Sequence, residues 1–221
     1  MPDLEARLAS VTAEVAQAAR DAGRNPAEIT TIVVTKFHPA ALVRELADLG
    51  VSDFGESRHQ EAQPKIAELA DLAATWHFIG QVQSKKARQV RSYVDVIHSV
   101  DRPSLVDALA GGPLDVFIQV NLTDDPARGG AQPDDLASLA ERVASTEGLK
   151  LRGVMAVAPL DSEPRREFAR VRTLSERLRA AHPEASGLSM GMSGDFREAI
   201  LEGATHLRIG TAITGNRLLH G

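Results

Sequence analysis

Leu4, Leu8, Val11 and Val15 recur every three or four residues, a single apolar stripe that predicts a helix ending near Gly23 and Pro26. From Thr30 onward the pattern changes. Short β-branched and apolar runs alternate with helical stretches, and Gly, Pro, Asp or Asn mark the joins. The runs predict strands over 31–35, 51–54, 75–79, 94–99, 116–121, 151–157, 188–190 and 207–209. Between them the 3.6-residue period predicts helices over 40–49, 58–72, 84–91, 104–110, 133–146, 163–181 and 194–202. Strict β-then-α alternation calls for parallel strands joined by crossover helices. Eight such units in 221 residues predict one α/β domain over 1–221, a single (β/α)8 TIM-type barrel with an extra N-terminal helix, since barrels run from about 200 residues upward. An open doubly wound sheet would carry a glycine-rich phosphate turn after its first strand, and Thr35-Lys36-Phe37-His38-Pro39 is not one. There is no internal repeat or linker; the segment 123–133 is the expected mobile loop.

Composition narrows the classes of function. Lys and Arg total 25 against 30 Asp and Glu, so the net charge of -5 provides no field to gather nucleic acid or an anionic membrane. Without cysteine there can be no disulfide, thiolate metal site or cysteine nucleophile. The first residues lack a basic, apolar leader pattern, and no apolar run approaches the ~18 residues that span a bilayer, so a cytoplasmic protein is expected. The histidines, among them His38, His59, His77 and His98, show no close ligand spacing, so no metal is expected. His77 reads as a hydrogen-bonded interior residue more than as a pocket residue.

In a barrel the active groups gather at the carboxyl ends of the strands. Ile32, Val34 and Lys36 alternate onto one face, which aims Lys36 at the barrel mouth, where desolvation would favour a neutral amine able to condense with a carbonyl. The alternative is a strand-end lysine reaching to water. Ser189-Met190-Gly191-Met192-Ser193-Gly194-Asp195 joins a short strand to a helix, with Ser193 at the expected N-cap beside backbone N–H groups that could meet an anion. Arg208-Ile209-Gly210-Thr211 closes the last strand: Gly210 permits close backbone approach, Thr211 offers a hydroxyl, and Arg208 projects inward and needs an acceptor, either a ligand or a barrel carboxylate. Loops after strands seven and eight of barrels frequently bind phosphate. A Schiff-base lysine opposite a phosphate cradle describes a site for a phosphorylated aldehyde, and pyridoxal 5′-phosphate is one.

These motifs, with Val34-Thr35-Lys36, Phe54-Gly55-Glu56 and Trp76-His77-Phe78-Ile79-Gly80 in the same order, run over nearly the whole chain. The sequence resembles the pyridoxal phosphate homeostasis protein family, single-domain relatives of the barrel in alanine racemase. The resemblance implies that Lys36 forms the internal aldimine, that Ser193, Gly210 and Thr211 hold the phosphate, and that Arg208 meets the pyridine nitrogen. A guanidinium there would weaken the ring as an electron sink. Two positions depart from the family's pattern: Ser57 and Lys85 stand where relatives often carry asparagine. The expected role is pyridoxal phosphate binding in cofactor homeostasis, by a monomer, without catalysis and with cofactor-requiring apo-enzymes as partners. The alternatives are a free-standing amino-acid racemase or a Schiff-base aldolase acting on a sugar phosphate. In two-domain racemases a tyrosine from the partner's second domain serves the second face of the substrate; here Tyr93, the single tyrosine, precedes the fourth strand, away from the expected site.

Overall fold

A computed structural model describes residues 3–123, 125 and 128–215. Helix α1 (Leu4–Asp21) begins at Asp3, whose carboxylate accepts from the Ala6 N–H at 2.8 Å and so satisfies one of the open donors of the first turn. The strands are β1 (Thr30–Val34), β2 (Asp53–Glu56), β3 (Thr75–Phe78), β4 (Val96–Val100), β5 (Leu114–Gln119), β6 (Leu149–Met155), β7 (Gly187–Met192) and β8 (His206–Ile209). Each pairs in parallel with the next, and β8 returns to β1 with His206 opposite Thr30 and Arg208 opposite Ile32. The barrel is therefore closed, as expected, and the open sheet is excluded. Parallel neighbours need crossovers. These are α2 (Ala40–Asp48), α3 (His59–Glu68), α4 (Ala87–Val90), α5 (Pro103–Ala108), α6 (Leu136–Ala144), α7 (Pro164–Ala181) and α8 (Phe196–Leu201), with α9 (Thr211–Thr214) after β8. No helix among the described residues is long and apolar enough to cross a membrane.

Several boundaries differ from expectation for identifiable reasons. The strand expected over 51–54 starts at Asp53, because Val51 belongs to the end of α2. Gly50 takes a left-handed φ of 92°, and the Val51 N–H reaches back to the Leu46 carbonyl at 3.0 Å, a Schellman closure. The helix expected over 84–91 is a 3-10 turn (Ser84–Lys86) followed by the single turn of α4. Residues 124, 126 and 127 of the loop expected to be mobile lie outside the described residues, as do 1, 2 and 216–221 of the expected domain span.

Apolar side chains fall into two layers. Val33, Phe54, Phe78, Ile97, Ile118 and Val154 of the strands pack outward against Val43, Leu46, Leu105, Phe168 and Val171 of the helices. Inside the barrel the second apolar cluster is only Val96, Phe117 and Met155, while His77, His98, Ser189 and Arg208 are buried there as well. Barrel interiors are usually filled by branched apolar layers; this one also carries buried polar side chains. Arg7 and Arg24 fasten α1 and the turn after it across the β8 end, donating to the Ile213 carbonyl at 2.6 Å and the Ala204 carbonyl at 2.7 Å.

Candidate functional site

Lys36 lies two residues past β1, in a turn whose flanks are anchored beneath it. The Thr35 N–H donates to the Gly55 carbonyl at 3.0 Å, carrying the strand register to the edge of the turn. Phe37 has a left-handed φ of 68°, uncommon for a residue with a side chain, and its N–H donates to the Glu61 carboxylate. The buried Lys65 ammonium donates to the Thr35 carbonyl at 2.9 Å, to Glu56 Oε1 at 2.7 Å and to Glu61 Oε1 at 3.0 Å. Thr35 also donates its hydroxyl to Glu56 Oε1 at 2.7 Å. Burial pushes the Glu56 carboxyl above the usual carboxylate range, with Lys65 pulling the other way, and its Oε2 is buried without a partner among the described residues. Glu56, Glu61 and Lys65 thus fix both neighbours of Lys36.

Lys36 itself is exposed. The expected desolvation of its amine by the barrel mouth is not found, because β1 ends at Val34 and the turn carries the side chain out to the rim.

Near the end of β7 the chain bends at Gly191, where φ is 94° and an added Cβ would lie 2.6 Å from Ala199 Cβ. That bend brings α8 against the strand end. The Met192 N–H donates to Asp195 Oδ1 at 2.6 Å, and Asp195, not Ser193, is the N-cap residue of α8. The capping role expected for Ser193 is therefore wrong: its hydroxyl instead accepts from the Ala212 N–H at 3.4 Å, tying the β7 loop to α9. The N–H groups of Ser193 and Gly194 have no partner among the described residues. At Gly210 an added Cβ would meet Val34 at an ordinary 3.5 Å, so no protein neighbour demands glycine there.

Arg208 is buried and donates through Nη1 to Ser189 Oγ at 2.7 Å and through Nη2 to the Ala156 carbonyl at 2.8 Å. Both acceptors are neutral, so the barrel-carboxylate salt bridge weighed from the sequence is not formed. Burial pulls the guanidinium down to about 10, with Asp195 opposing, and it stays charged at neutral pH. Its other N–H groups have no hydrogen-bond partner among the described residues.

All five residues picked out by sequence line one cavity of about 330 Å³ at the carboxyl ends of β1, β7 and β8: Lys36, Ser193, Arg208, Gly210 and Thr211, together with Val34, Ile79, Met192 and Gly194. Other candidates stay outside it. Ser57 is half-buried, and its carbonyl would lie 2.0 Å from a Cβ on Gly80, which is why the β2 and β3 loops need glycine at that crossing. Lys85 is exposed on the 3-10 turn, and Tyr93 bonds His59 Nδ1 at 3.0 Å beside α3. His77 is an interior residue bonded to His98 and Asp53. Among the described residues no group of three or more His, Asp or Glu could hold a metal. Glu61, Lys65 and His98 carry no sequence signal of their own, because strand register and helix packing bring their partners from distant segments.

A family model described as the N-terminal domain of alanine racemase matches residues 7–217. The pyridoxal phosphate homeostasis protein of Pseudomonas aeruginosa is 42% identical over 223 residues, covering 98% of this chain and 97% of that one. Its counterpart in Escherichia coli K12 is 39% identical over 229 residues, covering 98% of both. The solved structure of PipY from Synechococcus elongatus with pyridoxal phosphate bound superposes with a TM-score of 0.83 at 37% identity, over 96% of this chain and 99% of that one. Alanine racemase of Corynebacterium glutamicum shares the fold, with a TM-score of 0.70 at 15% identity over 93% of this chain and 60% of its own. With relatives this similar aligned nearly end to end, the chain belongs to the pyridoxal phosphate homeostasis protein family.

Proposed function

We propose that this chain binds pyridoxal 5′-phosphate in the mouth cavity and serves cofactor homeostasis without catalytic turnover, as one barrel domain acting as a monomer in the cytoplasm. The observation that carries this reading is the convergence of Lys36, Ser193, Arg208, Gly210 and Thr211, scattered over 176 positions of sequence, on one cavity. The donor set fits the group. Hydroxyls of Ser193 and Thr211 and the unpaired N–H groups at Ser193 and Gly194 suit a phosphate dianion, Gly210 leaves the wall beside them open, and Val34, Ile79 and Met192 offer apolar surface to a flat ring. A volume of about 330 Å³ is within the range of small-ligand sites.

When bound, the cofactor supplies an aldehyde carbon open to attack by a primary amine. Lys36 is the lysine on the cavity wall; Lys65 has its donors engaged by Thr35, Glu56 and Glu61. Arg208 presents only N–H donors and stays charged, so it binds an acceptor nitrogen and cannot take a proton from it. Apart from Arg208, Lys36 is the sole ionisable side chain among the described residues of the cavity wall, so these supply no second acid–base group for exchange on two faces of a substrate. Relatives named as homeostasis proteins support the same reading; cofactor-requiring apo-enzymes are the recipients in this proposal.

The test is the absorption spectrum of the purified protein, followed by borohydride reduction and peptide mapping. A visible band, and a label fixed on Lys36, are expected. No band after incubation with pyridoxal phosphate, or a label on Lys65, Lys85, Lys86 or Lys150, refutes the assignment.

A further inference from the structure

Behind Arg208 a line of polar side chains crosses the barrel interior to its opposite end. Arg208 Nη1 lies 2.7 Å from Ser189 Oγ, and Ser189 Oγ lies 2.8 Å from His98 Nδ1. His98 Nε2 lies 2.9 Å from His77 Nδ1, and His77 Nε2 lies 3.0 Å from Asp53 Oδ1. The five residues come from β8, β7, β4, β3 and β2 in turn, and Asp53 is the first residue of β2, partly exposed at the amino end of the barrel. Phe117 stacks on His98 at 4.5 Å between ring centres, which closes the middle of the line to water.

The two ends of this line differ in kind, a donor at one and an acceptor at the other. A guanidinium only donates and a carboxylate only accepts, so Ser189 Oγ accepts from Arg208 at one end and Asp53 accepts at the other; the arrangement that keeps the Ser189 hydrogen within the line sends it to His98 Nδ1. Burial, with the positive charge of its neighbours, holds His98 well below the usual histidine range, so it carries a single ring hydrogen, on Nε2. That hydrogen points at His77 Nδ1, which must then accept, leaving the His77 hydrogen on Nε2 facing Asp53. The His77 hydrogen bond in turn lowers the Asp53 carboxyl. Every bond runs from the cation toward the carboxylate. His206, the remaining imidazole beside His98, bonds Thr205 Oγ1 at 2.8 Å and is outside the line. Apolar layers would fill a barrel with less desolvation, so a polar line through it needs a reason beyond filling space.

We infer that Asp53, His77, His98 and Ser189 are positioning residues, a one-way hydrogen-bond chain that fixes the Arg208 guanidinium at the cavity wall and connects it to a carboxylate at the far end of the barrel. The inference rests on the proposed reading of the cavity, in which Arg208 faces the ring nitrogen of pyridoxal phosphate. Ser189→Ala and Asp53→Ala should each weaken cofactor binding by about two- to tenfold and move the visible band, although neither side chain lines the cavity. If the line acts as a unit, Asp53→Ala should add nothing once Ser189 is Ala.

Two measurements decide. Long-range ¹⁵N–¹H correlation spectra of the unloaded wild type should show His77 and His98 both as Nε2–H tautomers; a hydrogen on either Nδ1 overturns the chain without any variant having to fold. Titration of pyridoxal 5′-phosphate into the wild type, the two single variants and the double variant, read as Kd and band position, tests the coupling. A wild type that takes up no cofactor overturns the reading of the cavity, and the role of the chain falls with it. A wild type that binds, with Arg208→Lys altering the band while Ser189→Ala and Asp53→Ala do not, or with effects that add in the double variant, overturns the positioning role alone.

Discussion

Lys65→Met tests the anchor beneath Lys36. Methionine reaches as far as the lysine Cε and lacks the ammonium, so the substitution keeps the apolar stem and removes three hydrogen bonds, to Thr35, Glu56 and Glu61. Glu56, fully buried and with Oε2 already without a partner among the described residues, would keep only the Thr35 hydroxyl. Removing one side of a buried ion pair costs about 3–5 kcal/mol, a large share of the roughly 5–15 kcal/mol that holds a domain folded. At this chain length that corresponds to a fall in melting temperature of roughly 6–20 °C. The loss has a pH signature. Burial already raises the Glu56 carboxyl, and without Lys65 the main influence holding it down is gone. A carboxyl raised in the folded state keeps its proton when the unfolded chain has released it. The penalty is thus absent below the unfolded value of about 4.3 and grows as pH rises, by up to about 1.4 kcal/mol per pH unit, until the folded value is passed. Urea denaturation of wild type and variant at pH 5 and pH 7.5 should therefore show the larger gap at pH 7.5, and Glu56→Gln in the Lys65→Met background should recover part of it. A loss under about 1 kcal/mol that does not change with pH would mean that water reaches the cluster, and the argument for an anchored turn would fail.

The barrel was legible because its signals are local and repeated. Each strand run is short, apolar and followed by a helical period, and eight repetitions leave few other topologies. The cavity residues were legible for a related reason: in a parallel barrel the residue just past a strand is at the mouth whatever its neighbours do, so Lys36, Ser193, Arg208, Gly210 and Thr211 share one end by topology. Reading failed where the third dimension decides. Val51 looks like a strand residue and serves as a helix closure, and Ser193 looks like a cap although Asp195, two residues on, takes that position. Lys36 was expected to be desolvated, but alternation along β1 stops at Val34 and no longer dictates its direction. Lys65 reads as an ordinary charge on the polar side of α3; it is buried because Glu56 at the end of β2 and Thr35 just past β1 meet it. The line from Asp53 to Arg208 involves five strands, and no spacing in one dimension could reveal it.

The remaining substitutions probe the cavity directly. Ser193→Ala and Thr211→Val should each weaken pyridoxal phosphate binding by about one to two decades, the worth of a hydrogen bond to a charged group, measured by absorbance titration; an unchanged Kd would make that residue structural only. Ser193→Ala should leave thermal stability nearly unchanged, since Asp195 is the N-cap residue of α8. Ser57→Asn should be tolerated and should keep the cofactor bound, because Ser57 is only half-buried and outside the cavity wall; complete loss of binding would show a loop packed more tightly against the site than its geometry indicates. The last expectation concerns turnover. Racemisation needs proton exchange on both faces at Cα, and among the described residues the cavity wall supplies one candidate base, Lys36, while Tyr93 bonds His59 beside α3. Without a second positioned group the reaction lacks an acid–base contribution of about 10²–10⁴ in rate. Arg208, charged at neutral pH and able only to donate, leaves a facing ring nitrogen unprotonated and so withdraws support for negative charge at Cα as well. Incubation of the loaded protein with alanine, serine and glutamate in deuterium oxide, followed by chiral analysis, should therefore show little or no inversion; rapid inversion that vanishes in Lys36→Ala would make this chain an enzyme.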